Sequence, residues 1–112
     1  MDQLANKIAE LDKLAFEYAK AEAERTYLEN FRHSKLALLM KEAEKDGHKA
    51  INAQDREARA HPEYIELLKG LQSATEIAEY ARWKLKNAHM GGSLYQTKQA
   101  NMRAEMQLTK SQ

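Results

Sequence analysis

The side chains best suited to binding chemistry lie in the last third of the chain, where cations and aromatic rings occur together. The densest group is the run Arg82-Trp83-Lys84. Cations neutralise phosphates while rings stack on bases, a combination typical of proteins that bind single-stranded nucleic acid. An acidic protein partner would suit the same cations. The candidate contact residues for nucleic acid or an acidic partner are Arg82, Trp83, Lys84, Lys86, Tyr95, Lys98 and Arg103.

A structural interpretation competes with this one. On that interpretation Trp83 and Tyr95 are partly buried packing residues. The nearby cations then form a solvated face or pair with acidic side chains of the first helix, namely Glu22, Glu24 and Glu29. The sequence alone leaves both interpretations open.

The charges of the chain are segregated, although its total is close to neutral. Its 112 residues carry 18 Lys and Arg against 17 Asp and Glu. Residues 1–81 hold 12 basic and 16 acidic side chains, a balance of −4, whereas residues 82–112 hold six basic and one acidic, a balance of +5. Such asymmetry indicates a nucleic-acid surface, an acidic partner, or two parts of the fold that neutralise each other.

Catalytic and metal sites are not predicted. A chain this short buries too little surface for a large insulated cleft, and it contains no Cys. No two histidines are spaced i, i+3 or i+4, and the Glu29–His33 pair on the first helix is too little for a metal site. No serine lies in a nucleophile motif. The four histidines are His33, His48, His61 and His89. We therefore expect a protein without enzymatic activity, metal or cofactor.

The chain shows no targeting or membrane segment. Its N-terminus lacks a basic run followed by an apolar core, and no stretch approaches the roughly 20 apolar residues of a membrane span. The absence of Cys fits a reducing compartment. We expect a cytoplasmic protein that does not enter a membrane.

Helix formers dominate the sequence, and the few breakers divide it into elements. The pattern predicts a long helix over about 2–45, ending at Asp46-Gly47. Residues 46–61 are a link, with either a short exposed helix or irregular chain after the turn. Pro62 suits the first turn of a second long helix, about 62–90. The pair Gly91-Gly92 predicts a bend, followed by a short helix over about 93–108.

Apolar residues recur at alternating spacings of three and four, as on one stripe of a helix. The pattern predicts an all-α fold, a single domain over 1–112. We expect a long antiparallel helical hairpin or coiled-coil-like bundle, completed by oligomerisation because such narrow stripes bury little. The predicted helix-packing or oligomer seam comprises Leu4, Ile8, Leu11, Tyr64, Leu67, Leu71, Ala78 and Leu85.

About half the chain, residues 53–106, resembles a group of small helical bacteriophage proteins encoded among early or recombination genes. The resemblance covers residues 60–64 with Leu67-Leu68, then residues 82–84 with Ala88, and finally residues 97–101 with 103–105. The chain departs from that group at Gly91-Gly92-Ser93, where the group generally keeps helix formers. The resemblance implies a phage or prophage accessory protein near single-strand annealing or binding functions, acting in the host cytoplasm.

Three functional hypotheses follow. The first is a non-enzymatic phage or prophage interaction protein, accessory to DNA recombination or single-stranded DNA metabolism through its basic C-terminal helix. The second is a phage inhibitor whose acidic first part imitates nucleic-acid phosphates and binds a host nuclease or defence protein. The third is a purely structural helical protein that forms homo-oligomers.

Overall fold

The computed structural model describes residues 2–111, with the side chains of all but residues 92–96, 110 and 111. The chain forms helices α1 (Gln3–Lys45), α2 (Ile51–Ala60) and α3 (Pro62–Ser111), and the described residues include no strand. The predicted all-α class is therefore confirmed. Two compact units are formed: one joins Met1–Tyr18 to Tyr80–Gln112, and the other is Ala19–Glu79.

In the unit that holds both chain ends, α1 and α3 run antiparallel. Glu17 lies beside Lys84, with 3.6 Å between carboxylate oxygen and ammonium nitrogen. Ten residues earlier in α1, Lys7 Nζ lies 4.0 Å from the position that a Cβ at Gly91 would take. Residue numbers thus fall along one helix as they rise along the other, which is the arrangement of a helical hairpin.

Side-chain and backbone caps fix both ends of α1. At its start, Asp2 Oδ1 accepts hydrogen bonds from the backbone N–H groups of Leu4 and Ala5 at 3.1 and 3.3 Å. At its end, Gly47 has a φ of 108°, and its N–H donates to the carbonyl of Glu44. The next N–H, of His48, donates to the carbonyl of Ala43 at 3.0 Å. This pair of bonds is a Schellman motif, and it turns the chain out of the helix.

Two glycines give a matched test of this turn. Gly47→Ala is expected to lower the free energy of unfolding by about 1–2 kcal/mol, because a Cβ disfavours its positive φ. Gly70→Ala is expected to raise it by about 0.5–1 kcal/mol, because Gly70 is helical and no atom lies within 4 Å of the added Cβ. Urea unfolding of both variants checks the prediction. Equal effects of the two substitutions would contradict it.

The segment predicted as a link contains α2, which is packed into the Ala19–Glu79 unit. Ala58 is 1% exposed, and it forms a core with Leu39 and Tyr64. Gln54 is also buried, and its side-chain amide donates to the carbonyl of His48 at 2.9 Å. The segment thus contains a short helix, one of the two alternatives; six of its ten residues are exposed, but Gln54 and Ala58 are buried. The small Ala58 side chain allows α2 to approach closely, and Gln54 satisfies backbone groups of the turn.

Helix α3 begins at Pro62, where a missing N–H costs nothing in the first turn. The ring of His61 acts as a cap, since its Nδ1 accepts from the N–H of Glu63 at 3.1 Å. Glu63 Oε2 also binds Lys35 Nζ of α1 at 3.0 Å. The hydrogen bond and charge of Lys35 lower the pKa of the Glu63 carboxyl, with a smaller contribution from the charge of His61.

NMR titration of Glu63 tests this contact. We expect its carboxyl to titrate below the ordinary range of glutamate, with Lys35→Met raising the midpoint more than His61→Asn, which keeps a capping side chain. Because the folded pKa is the lower one, the stabilisation is present above the unfolded pKa and is lost as the pH falls through the folded pKa. An unchanged midpoint in Lys35→Met would contradict the contact.

Burial along α3 follows the alternating spacing of three and four. Tyr64, Ala74 and Ala78 are buried, and the partly buried positions of the same stripe are Leu67, Leu71, Ala81, Leu85 and Ala88. Small side chains dominate its middle, so they permit close approach of the helices.

The early part of the α1 seam lies outside this packing. Leu4 and Ile8 are each 52% exposed, while Leu11 is partly buried. A role for Leu4 and Ile8 in oligomer contacts stays a prediction.

Gly91 and Gly92 do not end the helix. Residues 62–111 form one helix, α3, so the predicted separate short helix over 93–108 was wrong. Each glycine costs about 1 kcal/mol relative to alanine, but it still donates and accepts the helical hydrogen bonds. Helix formers on both sides outweigh that cost. Within the described residues, no helix has the length and apolar character needed to cross a membrane.

Candidate functional site

Trp83 is the centre of the predicted binding surface, and cations lie against its ring. Its side chain is 47% exposed on α3. The guanidinium carbon of Arg82 lies 5.2 Å from the indole centroid, and Lys86 Nζ lies 4.9 Å from it. Cation–π contacts of this kind are worth about 0.5–1 kcal/mol at exposed sites. The contacts therefore hold two positive charges close to an accessible aromatic ring.

Lys84 extends this group to a second aromatic ring and to α1. Its Nζ lies 5.3 Å from the ring centroid of Tyr80 and 3.6 Å from Glu17 Oε2. Tyr80 is 68% exposed. Sequence reasoning missed both partners, although the i, i+4 spacing of Tyr80 and Lys84 was a usable signal. We call Tyr80, Arg82, Trp83, Lys84 and Lys86 the Trp83 cluster.

Lys84 pairs with an acidic side chain of α1, as the structural interpretation requires. Its partner is not one of the three glutamates that the sequence suggested. Glu22 binds Arg25, and Glu29 binds Arg32 at 2.8 Å, each pair one turn apart on α1. The hydrogen bond from Arg25 lowers the pKa of the Glu22 carboxyl, with a smaller contribution from its charge. Two of the three acidic side chains proposed as partners are thus bound within their own helix. The observed acidic partner of Lys84 is instead Glu17.

The remaining predicted contacts lie further along α3. Lys98 and Arg103 are exposed, about 22 and 30 Å beyond Trp83 at 1.5 Å per residue. The side chain of Tyr95 lies outside the described residues. The structure therefore does not gather the predicted residues into a pocket. It spaces them along α3, where at 3.6 residues per turn Lys98 lies about 60° and Arg103 about 200° around the helix from Trp83.

A second group of titratable side chains surrounds the turn after α1. Glu42, His48, Glu57 and His61 line a hollow of about 70 Å³, where His61 Nε2 lies 3.9 Å from Glu42 Oε1. Over the described part of the chain, no three His, Asp or Glu side chains are arranged to hold a metal ion.

Comparisons of the chain with protein families, with curated proteins and with solved structures find no match. Function must therefore be inferred from the side chains, chiefly the Trp83 cluster.

Proposed function

We propose that the protein is a non-enzymatic binding protein that holds single-stranded nucleic acid along the basic part of α3. The observation that carries the proposal is the half-exposed Trp83 ring with Arg82 and Lys86 within 5.2 and 4.9 Å of its centroid. The resemblance to phage proteins suggests DNA recombination or single-stranded DNA metabolism as its setting.

The chemistry of the Trp83 cluster suits an unpaired nucleotide. A base that stacks on the indole gains about 1–3 kcal/mol, and it displaces a cation from the ring. The displaced guanidinium or ammonium group remains close enough to bind the adjoining phosphate. The ring and its cations thus match the base and phosphate of the same nucleotide, and a duplex, whose bases are already stacked, offers only the phosphates.

Charge along α3 supports a strand that continues past the cluster. Residues 82–112 carry six basic side chains and one acidic side chain. Lys98 and Arg103 are exposed. Each phosphate neutralised on a single strand contributes about −0.7 to the slope of log affinity against log salt. Contacts by Arg82, Lys86 and Lys98 would together give a slope of about −2.1, whereas Arg103 lies on the opposite side of the helix from Trp83.

Fluorescence anisotropy with labelled oligonucleotides tests the proposal. We expect a single strand to bind more tightly than a duplex of the same sequence, with an advantage of roughly 5- to 150-fold from one stacked base. Equal affinity for the two would mean that electrostatic attraction holds the strand without stacking on Trp83. No binding at low salt would contradict the proposal.

The contact between Lys84 and Glu17 favours a second candidate ligand, an acidic protein segment. This contact shows that the cluster accepts a carboxylate at 3.6 Å. Poly-glutamate is the matched competitor, because it offers negative charge without bases. If poly-glutamate displaces the single strand at equal charge concentration, the acidic partner becomes the better assignment; if the strand resists displacement, stacking distinguishes the two ligands.

A further inference from the structure

The Ala19–Glu79 unit buries small side chains and exposes large ones. Only two of its buried apolar residues are large, Leu39 and Tyr64; the other buried apolar residues of the described chain are Ala43, Ala58, Ala74 and Ala78. On α1 of the same unit, Tyr27 is 61% exposed and Leu38 is 60% exposed. Large apolar side chains that stay in water contribute no burial free energy to folding, so a partner that covers them would add stability.

These exposed side chains form one stripe. Tyr27 and Phe31 are one turn apart, and their rings stack at 6.0 Å with an interplanar angle of 9°. Leu38 follows two turns after Phe31, on the same side of the helix. Lys20 lies two turns before Tyr27. We call Lys20, Tyr27, Phe31 and Leu38 the aromatic face of α1.

We propose that the aromatic face of α1 binds the same face of a second copy of this chain, antiparallel and about a two-fold axis. A two-fold contact is reciprocal, so the residues of the stripe must suit each other in reverse order. If Tyr27 contacts Phe31 of the other copy, the two-fold axis crosses α1 at the level of residue 29. Lys20 then lies level with Leu38 of the other copy, where its aliphatic stem covers the leucine.

The charges beside the aromatic face support a second copy as the occupant. In this register Glu24 lies beside residue 34 of the other copy. It is therefore one residue, about 1.5 Å along the helix axis, from Lys35 of that copy. The two-fold axis repeats this opposite-charge pair on the other side of Phe31. Lys35 also binds Glu63 at 3.0 Å in its own chain, so a carboxylate would flank it on each side. Over residues 20–38 the face is therefore complementary to itself in both apolar and charged contacts; beyond them, the same register brings Lys13 level with Lys45 of the other copy.

Light scattering of the full chain without nucleic acid tests the pairing. The wild type is expected at twice 12.9 kDa, with Phe31→Glu and Leu38→Glu shifting the mass toward 12.9 kDa. Ile51→Glu is the matched control, because Ile51 is 72% exposed on α2 and lies off the face. Circular dichroism separates loss of pairing from loss of folding. A monomeric wild type, or a dimer that both α1 substitutions leave intact, would overturn the proposal.

A charge exchange tests the register. Glu24→Lys and Lys35→Glu, made singly, should each weaken the dimer by roughly 3- to 10-fold, as expected for two exposed ion pairs. The double variant restores the opposite charges between copies but not the Lys35–Glu63 pair within the chain. Recovery of dimer affinity in the double variant is therefore the expected result, and its failure would overturn the register. Because no nucleic acid is present, neither test depends on the proposed binding function.

Discussion

Replacing Tyr64 by alanine is expected to lower the free energy of unfolding by about 3–5 kcal/mol, the cost of removing a large buried aromatic side chain. Tyr64 is 3% exposed and belongs to the core cluster with Leu39 and Ala58. It contacts α1 and lies close to α2 in sequence and space. Its loss therefore opens a cavity where the three helices of the Ala19–Glu79 unit meet.

The hydroxyl of Tyr64 has a separate role that a second variant isolates. The Tyr64 hydroxyl is the main cause of the raised pKa of Arg32, followed by the charge of Glu29. Tyr64→Phe keeps the ring and removes the hydroxyl, so we expect a smaller loss of about 0.5–1.5 kcal/mol. Tyr80→Ala is the control, because Tyr80 is 68% exposed. Urea unfolding measures all three variants, and a comparable loss for Tyr64→Ala and Tyr80→Ala would contradict the core.

The triple variant Trp83→Ala, Lys84→Ala, Lys86→Ala is expected to weaken single-strand binding by well over the roughly 5- to 150-fold of one stacked base. Removing Lys86 also removes a phosphate contact, and the salt slope should become shallower by about 0.7. Lys84 contributes less if it stays with Glu17, 3.6 Å away. Helicity should be unchanged, since alanine is the best helix former.

A matched triple variant controls for charge and for general loss of exposed apolar surface. Phe16→Ala, Lys13→Ala, Lys45→Ala removes one exposed ring and two cations from α1. It changes the net charge by the same amount but leaves the Trp83 cluster intact. Fluorescence anisotropy at fixed salt compares the two variants. Equal losses of affinity would show that net charge alone attracts the strand.

Local signals in the sequence were sufficient for the ends of two helices. Gly47 ends α1 through a positive φ, and Pro62 begins α3; both effects depend on a single residue and its backbone. The apolar spacing also predicted the all-α class. The uninterrupted α3 was not predicted, because a Gly-Gly pair lowers helix propensity without showing whether its neighbours compensate.

Features that depend on contacts between helices could not be predicted. The burial of Gln54 and Ala58 requires α2 to lie against α1 and α3, and their own side chains do not indicate that position. For the same reason, sequence reasoning found the cations of the Trp83 cluster but not Glu17, the partner of Lys84. Pairing across two helices depends on their register, which a one-helix pattern leaves undetermined.

Trp83 is the only tryptophan of the chain, so its fluorescence reports directly on the proposed contact. The most direct test is a titration of the wild-type protein with an unlabelled single-stranded oligonucleotide at low salt, while the tryptophan emission is followed. Stacking of a base on the indole predicts saturable quenching, which added salt reverses as the strand dissociates. Unchanged tryptophan emission, at concentrations where a parallel anisotropy titration with the labelled strand shows binding, would place the ligand elsewhere and would contradict a role for Trp83.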